Sequence, residues 1–253
     1  MDKLMMINSI KHKEKLIVTY NNKAYFGCNQ SWFPEETQVL GGCGPVCATN
    51  LLNYYGLLED LNGETLVSQL NNIYRFIKPT EIQRLIPPFL KKNRFIPPTL
   101  GVRNLNRFRL KFMKLADTLY PKHDLRIKEF RMTTIDDNNL SLCLEFVKSG
   151  LEANNPLCFL NTFHDSKFFL SRELPTGKHC LVESVEELEI LKSQSFLTHW
   201  VLVTGLYQSL KSKEYFLECS TWGQVAYFKL SDFYTKPNWK NYMFTSGMLR
   251  IVL

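Results

Sequence analysis

The last quarter of the chain contains four strand-like segments separated by short connections, at about 196–207, 214–221, 224–230 and 245–253. They are rich in Val, Leu, Tyr and Phe, which is typical of half-buried or central strands. Only Trp222-Gly223 and its immediate neighbours separate the second segment from the third, a spacing typical of a tight turn. The sequence therefore predicts an antiparallel sheet in this part of the chain.

A cysteine in a glycine-rich turn precedes a predicted helix near the other end of the chain. The segment is Gly41-Gly42-Cys43-Gly44-Pro45, and an apolar stripe over 46–55 followed by Gly56 predicts the helix. Free N–H groups and the positive end of the helix dipole favour an anion at this position. A protonated histidine nearby would lower the thiol pKa from ~8.5 to roughly 3.5–7.5. The sequence therefore favours Cys43 as a nucleophile, with its own N–H available to an oxyanion.

One other thiol and one histidine complete the candidate pair. Cys47 lies one turn later on the same predicted helix, so it is the rival nucleophile, although it lacks exposed N-terminal amides. His199 stands at the start of the first C-terminal strand. The other four histidines lie in polar or loop segments, where no strand would hold them against a helix terminus. A thiol and an imidazole from two parts of one fold are what a thiol hydrolase requires.

These motifs resemble the papain-like cysteine peptidases of bacterial type, and the Cys-Gly-Pro turn is similar to that of the bacteriocin-leader-peptidase-like group. His199 is followed six positions later by Gly205, as in the family, and an aromatic strand ends in Trp222-Gly223. The order along the chain, Cys, then His, then orienting residue, is also that of the family. The resemblance implies one α+β domain over 1–253. A mainly helical lobe (28–151) carrying the cysteine would pack against a mainly sheet lobe (1–27 and 152–253) carrying the histidine.

The third catalytic position departs from the family pattern. Ser220 stands where the family has the asparagine that orients the histidine, and its hydroxyl would bring no charge. Glu218 is an alternative, since residues two apart on a strand share a face. Strand alternation points Thr221 the other way and makes it the weaker candidate.

The resemblance also implies a glutamine upstream of the cysteine as an oxyanion donor. Gln30 is favoured because it lies in a segment with a glycine, two amides and the aromatic residues Trp32 and Phe33. Gln38 is the alternative at the shorter spacing, in a polar stretch that fits a solvated loop. The remaining cleft candidates are Gly42 and Gly44, which would admit a substrate carbonyl, and the aromatic residues Trp32, Trp200 and Trp222.

Composition limits the other classes of function. The 253 residues are 45% hydrophobic, typical of a globular protein, and contain no apolar run long enough for a transmembrane helix. Seven cysteines without framework spacing, and an N-terminus without a signal-peptide core, predict reduced thiols in the cytoplasm. No metal site, cofactor or nucleic-acid partner is expected. The expected substrate is a peptide or protein, and the sequence leaves open transferase and deamidase chemistry as well as a non-catalytic binding module.

The charge is concentrated in one region. Residues 75–131 contain fifteen Lys and Arg against four Asp and Glu, a local net charge of +11, whereas the whole chain carries +7. A basic amphipathic helix is predicted over about 104–120, with Leu105, Phe108, Phe112, Leu115 and Leu119 as its apolar stripe. Such a helix either packs on the catalytic domain with a solvated basic face or binds an acidic partner or a membrane surface.

Overall fold

A computed structural model describes residues 3–58, 61–79, 102, 104–123, 125–132, 137–161, 167–171, 174, 181–182, 189–192, 199–233 and 246–252. Within these residues the helices are α1 (Glu36–Gly41), α2 (Cys43–Tyr54), α3 (Gly63–Phe76), α4 (Leu105–Leu119) and α5 (Asp137–Glu152). The strands are β1 (Leu4–Ser9), β2 (Ile17–Tyr20), β3 (Lys23–Phe26), β4 (Arg126–Arg131), β5 (Leu157–Asn161), β6 (Lys167–Ser171), β7 (Leu181–Val182), β8 (Glu189–Lys192), β9 (His199–Ser209), β10 (Tyr215–Thr221), β11 (Gln224–Lys229) and β12 (Gly247–Val252).

Ten of these strands form one large antiparallel sheet, which confirms the predicted mixed α+β class. The order across the sheet is β4-β12-β5-β9-β10-β11-β6-β8, and β1 pairs with β9 and β7. The four strand-like segments of the C-terminal region form β9, β10, β11 and β12, as their composition predicts. β2 and β3 make a separate hairpin whose turn residues, Asn21 and Asn22, have φ of 49° and 59°. The sequence predicts that the two runs on either side of Asn21-Asn22 pair as a hairpin, and the positive φ at both turn positions, the geometry of a type I′ turn, confirms it.

Strand β9 is the central strand around which the site is built. On one edge it pairs first with β5, from His199 to Val203, and then with β1, from Gly205 to Ser209. On the other edge it pairs with β10, and the register shifts where Glu218 opposes Gly205 and Cys219 opposes Val203. Thr204 is the extra residue of this β-bulge, and it lies where the first edge changes its partner.

Helix α2 packs directly against β9. Eleven of its twelve residues are buried, among them Val46, Leu51 and Leu52. The Cys47 thiol donates to the carbonyl oxygen of Val201 on β9, 3.3 Å away. This contact, together with the apolar packing, fixes the helix on the face of the sheet.

The apolar stripe of helix α4 packs inside the protein. Leu105, Phe108, Phe112 and Leu115 are buried, and the Phe108 ring stacks on Trp200 with ring centroids 4.1 Å apart. Leu119, at the helix end, remains exposed. The apolar stripe is therefore covered by the protein itself and is not a free membrane-binding face, whereas the basic side chains Arg107, Arg109 and Lys114 are exposed.

Two parts of the predicted local map are wrong. The cysteine helix begins at Cys43 rather than at residue 46, because α1 reaches Gly41 and Gly42 continues in the αR region. Pro45 fits in the first turn, where a missing N–H costs little. The polar and variable pattern of residues 165–195 predicts an excursion over the site, but the described parts of this region form β6, β7 and β8, which pair within the sheet. The proline-rich connection predicted over 79–98 lies, from residue 80 onward, outside the described residues.

The N-terminal strand β1 had no counterpart in the sequence prediction. It pairs with the second half of β9 from Leu4 to Ser9, so the predicted sheet lobe gains a strand from the start of the chain. Among the described residues, no helix combines the length and the hydropathy needed to cross a bilayer.

Candidate active site

Cys43 is the first residue of α2, and the close packing of other residues around Gly42 fixes its position. Gly42 separates α2 from α1, and a Cβ at Gly42 would lie 2.6 Å from the Phe33 ring and 2.5 Å from the Gln38 carbonyl oxygen. A Cβ at Gly44 would lie 3.6 Å from Trp200. The turn before the cysteine therefore depends on the absence of a side chain at Gly42, and the first turn of the helix lies against β9.

One face of α2 presents Cys43, Cys47 and Asn50 to the sheet. These positions are spaced i, i+4 and i+7, so they share a side of the helix. The Cys47 thiol contacts Val201 of β9, and the Asn50 amide donates to Ser220 of β10 across 3.2 Å. The face of the helix that carries Cys43 is therefore the face in contact with the sheet.

The same contacts bring Cys43 to the end of β9 that begins with His199. Gly44 lies beside Trp200 and Cys47 beside Val201, so the N-terminal ends of α2 and β9 point the same way. From Cys47 back to Cys43 the helix rises by about 6 Å, and from Val201 back to His199 the strand spans about 6.6 Å. Similar displacements in one direction bring the backbones of Cys43 and His199 toward the same end of the contact between α2 and β9.

His199 is buried, with 2% of its surface exposed, and Thr221 and Trp222 contact its ring. Its Nε2 lies 2.7 Å from the hydroxyl oxygen of Thr221, within hydrogen-bonding distance. The Trp222 ring stacks on it, with centroids 4.5 Å apart and an interplanar angle of 17°. Asn161, itself buried, lies directly opposite on β5. The ring orientation is thus fixed by a hydrogen bond, an aromatic face and the sheet register.

Burial lowers the pKa of His199 from its ordinary 6.5 to about 3. The imidazole is therefore neutral at pH 7, since a charged ring would be desolvated. A protonated His199 that depresses the thiol pKa, as expected from the sequence, is not supported by this environment. The resting His199 side chain is instead a neutral imidazole.

The turn that carries Trp222 has an unusual backbone. Trp222 has φ of 50° and Gly223 has φ of 74°, which is the type I′ geometry of a two-residue hairpin between β10 and β11. A bulky residue at positive φ is uncommon, and Asn or Gly is preferred there. The Asn29 amide donates to the Trp222 carbonyl oxygen (2.8 Å), and the Phe26 N–H donates to that of Gly223 (2.9 Å). These bonds hold the tryptophan in the conformation that covers His199.

Ser220 does not occupy the orienting position that the sequence predicts for it. Its hydroxyl donates to the Phe26 carbonyl oxygen at 2.7 Å and accepts from Asn50. The reason is the register: Ser220 opposes Leu202 of β9, and paired residues share a face, so Ser220 lies on the face opposite to that of His199 and Val201. Thr221, one residue later, lies on the His199 face. The alternation between Ser220 and Thr221 is as predicted, and what was wrong is the premise that Ser220 shares a face with His199.

Glu218, the alternative orienting residue, belongs to another buried group of side chains. Its carboxylate lies 2.6 Å from Lys13 Nζ and accepts hydrogen bonds from Thr204 and Tyr207, each at 2.8 Å. It opposes Gly205, six positions along β9 from His199. Glu218 therefore stabilises the middle of the sheet, and it does not orient the imidazole.

The two upstream glutamines have different surroundings. Gln38 lies in the first turn of α1, where its side-chain oxygen accepts from the Glu35 N–H and its amide donates to Asn71. The segment predicted as a solvated loop is thus a capping box, and both ends of the Gln38 amide are engaged. Gln30 begins a short 3₁₀ helix, Gln30–Trp32, between Asn29, which is bonded to Trp222, and Phe33, which contacts Gly42. Gln30 therefore lies on a segment that spans from the histidine side of the site to the cysteine side.

The three predicted cleft tryptophans are held by packing. Trp32 is buried between Tyr20, stacked at 4.5 Å, and Tyr25, in an edge contact at 5.0 Å. Trp200 packs on Phe108, and its indole N–H donates to the Val102 carbonyl oxygen. Trp222 alone of the three stacks on the His199 ring. Trp200 and Trp222 thus pack around β9 and His199, whereas Trp32 packs against the β2–β3 hairpin.

The two thiols of α2 are in different environments. Cys47 is 1% exposed, and burial raises its pKa well above the ordinary value while its thiol donates to Val201. Cys43 is 7% exposed and lies at the helix terminus. The Cys47 thiol is therefore held in its protonated form, whereas Cys43 is the thiol at the helix end near His199.

Comparisons of the chain with protein-family models, with curated proteins and with solved structures find no match. Within the described part of the chain, no group of three or more His, Cys, Asp or Glu side chains is arranged to hold a metal ion. No disulfide joins any of the six cysteines among the described residues to another. The chemistry of the site must therefore be inferred from its own residues.

Three residues of the site were not singled out from the sequence: Thr221, Asn161 and Asn50. Each depends on strand or helix register that a motif does not encode. Asn50 had a detectable signal, because it is a polar residue on the i, i+4, i+7 face that begins with Cys43. For Asn161 and Thr221 the signal exists only once the register of β5, β9 and β10 is known.

Proposed function

We propose that the chain is a thiol-dependent hydrolase of peptide or other amide bonds, with Cys43 as the nucleophile and His199 as its general base. The observation that supports the proposal is the parallel packing of α2 on β9, with a cysteine as the first residue of the helix and a buried histidine, bonded to Thr221, as the first residue of the strand. A papain-like relation between a cysteine helix and a histidine sheet would account for this arrangement. The proposed substrate is a peptide or protein.

The neutral imidazole determines how the first step proceeds. As the Cys43 sulfur attacks the amide carbonyl carbon, its proton passes to His199, and the C–S bond forms. For Nδ1 to accept this proton, Nε2 must carry the ring hydrogen, which it then donates to the Thr221 hydroxyl oxygen. His199 next protonates the leaving amine as the C–N bond breaks, leaving a thioester. Water, deprotonated by His199, releases the acid and the thiol.

Thr221 is the proposed orienting residue in place of Ser220. It brings no charge, so it acts by fixing the tautomer and the ring direction rather than by stabilising an imidazolium. The Trp222 ring over the imidazole excludes water from that side. Gln30 is the proposed donor to the oxyanion together with the Cys43 N–H, because Gln38 is engaged in the cap of α1.

Hydrolysis of a pooled set of fluorogenic peptide amides tests the proposal. Cys43→Ala should abolish turnover, while Cys47→Ala should retain it with a loss of stability, because the Cys47 thiol serves packing. Gln30→Ala should lower turnover by roughly 10²–10³, the usual effect of removing an oxyanion donor, and Gln38→Ala should mainly destabilise α1. Turnover that survives in Cys43→Ala would refute the assigned nucleophile.

A non-catalytic binding module is the second candidate, and the low pKa of His199 favours it. Without an imidazolium beside it, the thiol gains no activation from charge. The exposed basic side chains of α4, such as Arg107 and Lys114, would then serve an acidic partner. If this candidate holds, Cys43→Ala binds the partner as the wild type does, and no amide is cleaved. Acyl transfer and deamidation use the same pair of residues and differ only in the acceptor or the substrate amide.

A further inference from the structure

We propose that Asn50 and Ser220 form a positioning clamp that sets the distance between Cys43 and His199. The clamp consists of Asn50 on α2, Ser220 on β10 and the backbone of Phe26 and Cys28. It rests on the proposed function, because what it positions is the proposed catalytic pair. Neither Asn50 nor Ser220 contacts a reacting atom in this account, so both are positioning residues.

The clamp is a closed set of buried hydrogen bonds. The Asn50 amide nitrogen donates to Ser220 Oγ (3.2 Å), and the Asn50 oxygen accepts from the Cys28 N–H (2.8 Å). Ser220 Oγ donates to the Phe26 carbonyl oxygen (2.7 Å). Asn50 and Ser220 are each 1% exposed, so no solvent would replace a lost partner. Three separate parts of the chain are thus held together at one point.

Gly27 shows how closely these parts approach. Its φ is +83°, and a Cβ there would lie 2.3 Å from Ser220 Oγ and 2.6 Å from the Asn50 amide nitrogen. Only a glycine allows both the positive φ and this approach. The backbone between Phe26 and Cys28 is therefore shaped to receive the two side chains.

Both ends of the clamp lead directly to the catalytic pair. Asn50 lies on the same face of α2 as Cys43, two turns and about 10 Å along a rigid helix. Ser220 immediately precedes Thr221, whose hydroxyl lies at His199 Nε2, and Trp222, whose ring covers His199. Loss of the clamp would let the end of β10 move relative to α2. A misplacement of about 1 Å is enough to cost roughly 10²-fold in rate.

The clamp also explains the serine at the position where the resemblance implied an asparagine. Ser220 faces α2 rather than His199, and its small hydroxyl fits between Asn50 and Gly27. Ser220 acts on one face of β10, whereas its neighbour Thr221, the proposed orienting residue, faces His199 on the other. Its contribution to the reaction would be indirect, through Thr221 and the helix.

The rate of Cys43 alkylation by iodoacetamide, with the modified residue identified by mass spectrometry, measures this positioning. It is recorded from pH 5 to 9, well below the melting temperature, for the wild type, His199→Gln, Ser220→Ala, Asn50→Ala and the double clamp variant. Tyr54→Phe is the matched control, since it also removes a hydrogen bond of α2, the one from the Tyr54 hydroxyl to Asn154, which follows α5 and lies outside β9 and β10.

The two single clamp variants should react about 10- to 100-fold more slowly than the wild type, and the double variant no more slowly than the worse single one. Their pH dependence should approach that of His199→Gln, in which the thiol ionises without help and the rate changes about tenfold per pH unit. Tyr54→Phe should keep the wild-type rate within about twofold. Only a loss of positioning, and not a loss of stability alone, changes the pH profile.

Two results would overturn the clamp, and they differ in what else they overturn. In the first, the wild type reacts faster than His199→Gln, and Ser220→Ala and Asn50→Ala react as fast as the wild type. This result refutes the clamp alone. A wild-type rate equal to that of His199→Gln refutes the proposed function and the clamp together. If Asn50→Ala does not fold, Ser220→Ala alone decides whether the clamp exists, because it removes only a single oxygen atom.

Discussion

At the scale of single residues, the site depends on which side of a strand each side chain occupies. Ser220 and Thr221 are neighbours, yet the first bonds to Asn50 and Phe26 and the second to His199. Neither brings a charge, so the difference between them is one of direction alone. The orienting role therefore moves by one residue from the position that the motif indicates.

Replacement of Thr221 tests this assignment. Thr221→Val keeps the shape but removes the hydroxyl from His199 Nε2, so the ring can take the wrong tautomer. Turnover, or Cys43 alkylation at pH 7, should fall by about tenfold or more, and Thr221→Ser should restore most of it. Wild-type rates in Thr221→Val would show that packing against Trp222 alone holds the ring.

The burial of His199 predicts a pH dependence of folding. The folded-state pKa of about 3 lies below the ordinary 6.5, so the unfolded chain binds the extra proton between these values, and stability falls as the pH falls through that window. From pH 7 to pH 5 the wild type should lose about 2 kcal/mol more than His199→Gln. Urea unfolding of both proteins at the two pH values measures the difference. An equal loss in both proteins would mean that His199 titrates normally.

At the scale of elements, the helices and strands with strong periodicity could be predicted from the sequence, whereas the register between paired strands could not. The apolar stripe of α4 and the I′ turn at Asn21-Asn22 follow from the sequence because local side chains decide them. The bulge at Thr204 and the pairing of β1 with β9 depend on contacts between distant segments. Cys43 and His199 were therefore identified from motifs, whereas Thr221 and Asn50 required the structure.

The start of α2 shows a second limit of sequence reasoning. Gly41, Gly42, Gly44 and Pro45 predict a turn by composition, yet the chain there is helical except at Gly42. Gly42 serves close approach to Phe33 and to the Gln38 backbone rather than a loop. Tertiary packing thus overrides local propensity in the residues around Cys43, the proposed nucleophile.

At the scale of the whole molecule, a buried ion pair stabilises the sheet on the side away from the site. Lys13 and Glu218 are almost fully buried, and Thr204, Tyr207 and Tyr227 surround the carboxylate. Thr204 is the bulge residue of β9, so the pair supports the point where β9 changes its partner from β5 to β1.

Breaking this pair should destabilise the fold without affecting the chemistry. Lys13→Met leaves the Glu218 carboxylate buried and uncompensated, which typically costs about 3–5 kcal/mol. Lys13→Met with Glu218→Gln should recover part of that loss, because no charge remains buried. Denaturant unfolding gives the stabilities, and the alkylation rate of Cys43 in the folded variants should match the wild type. A stability of Lys13→Met equal to that of the wild type would show that water reaches the carboxylate.

The most direct test of the central claim is to compare the rate and the site of iodoacetamide alkylation at pH 7 in the wild type and in His199→Gln. If Cys43 and His199 act as a pair, the wild type should be modified selectively at Cys43, with Cys47 protected, and His199→Gln should react about 10²-fold more slowly, the usual contribution of a general base. Equal rates in the two proteins, or equal modification of Cys43 and Cys47, would contradict the account.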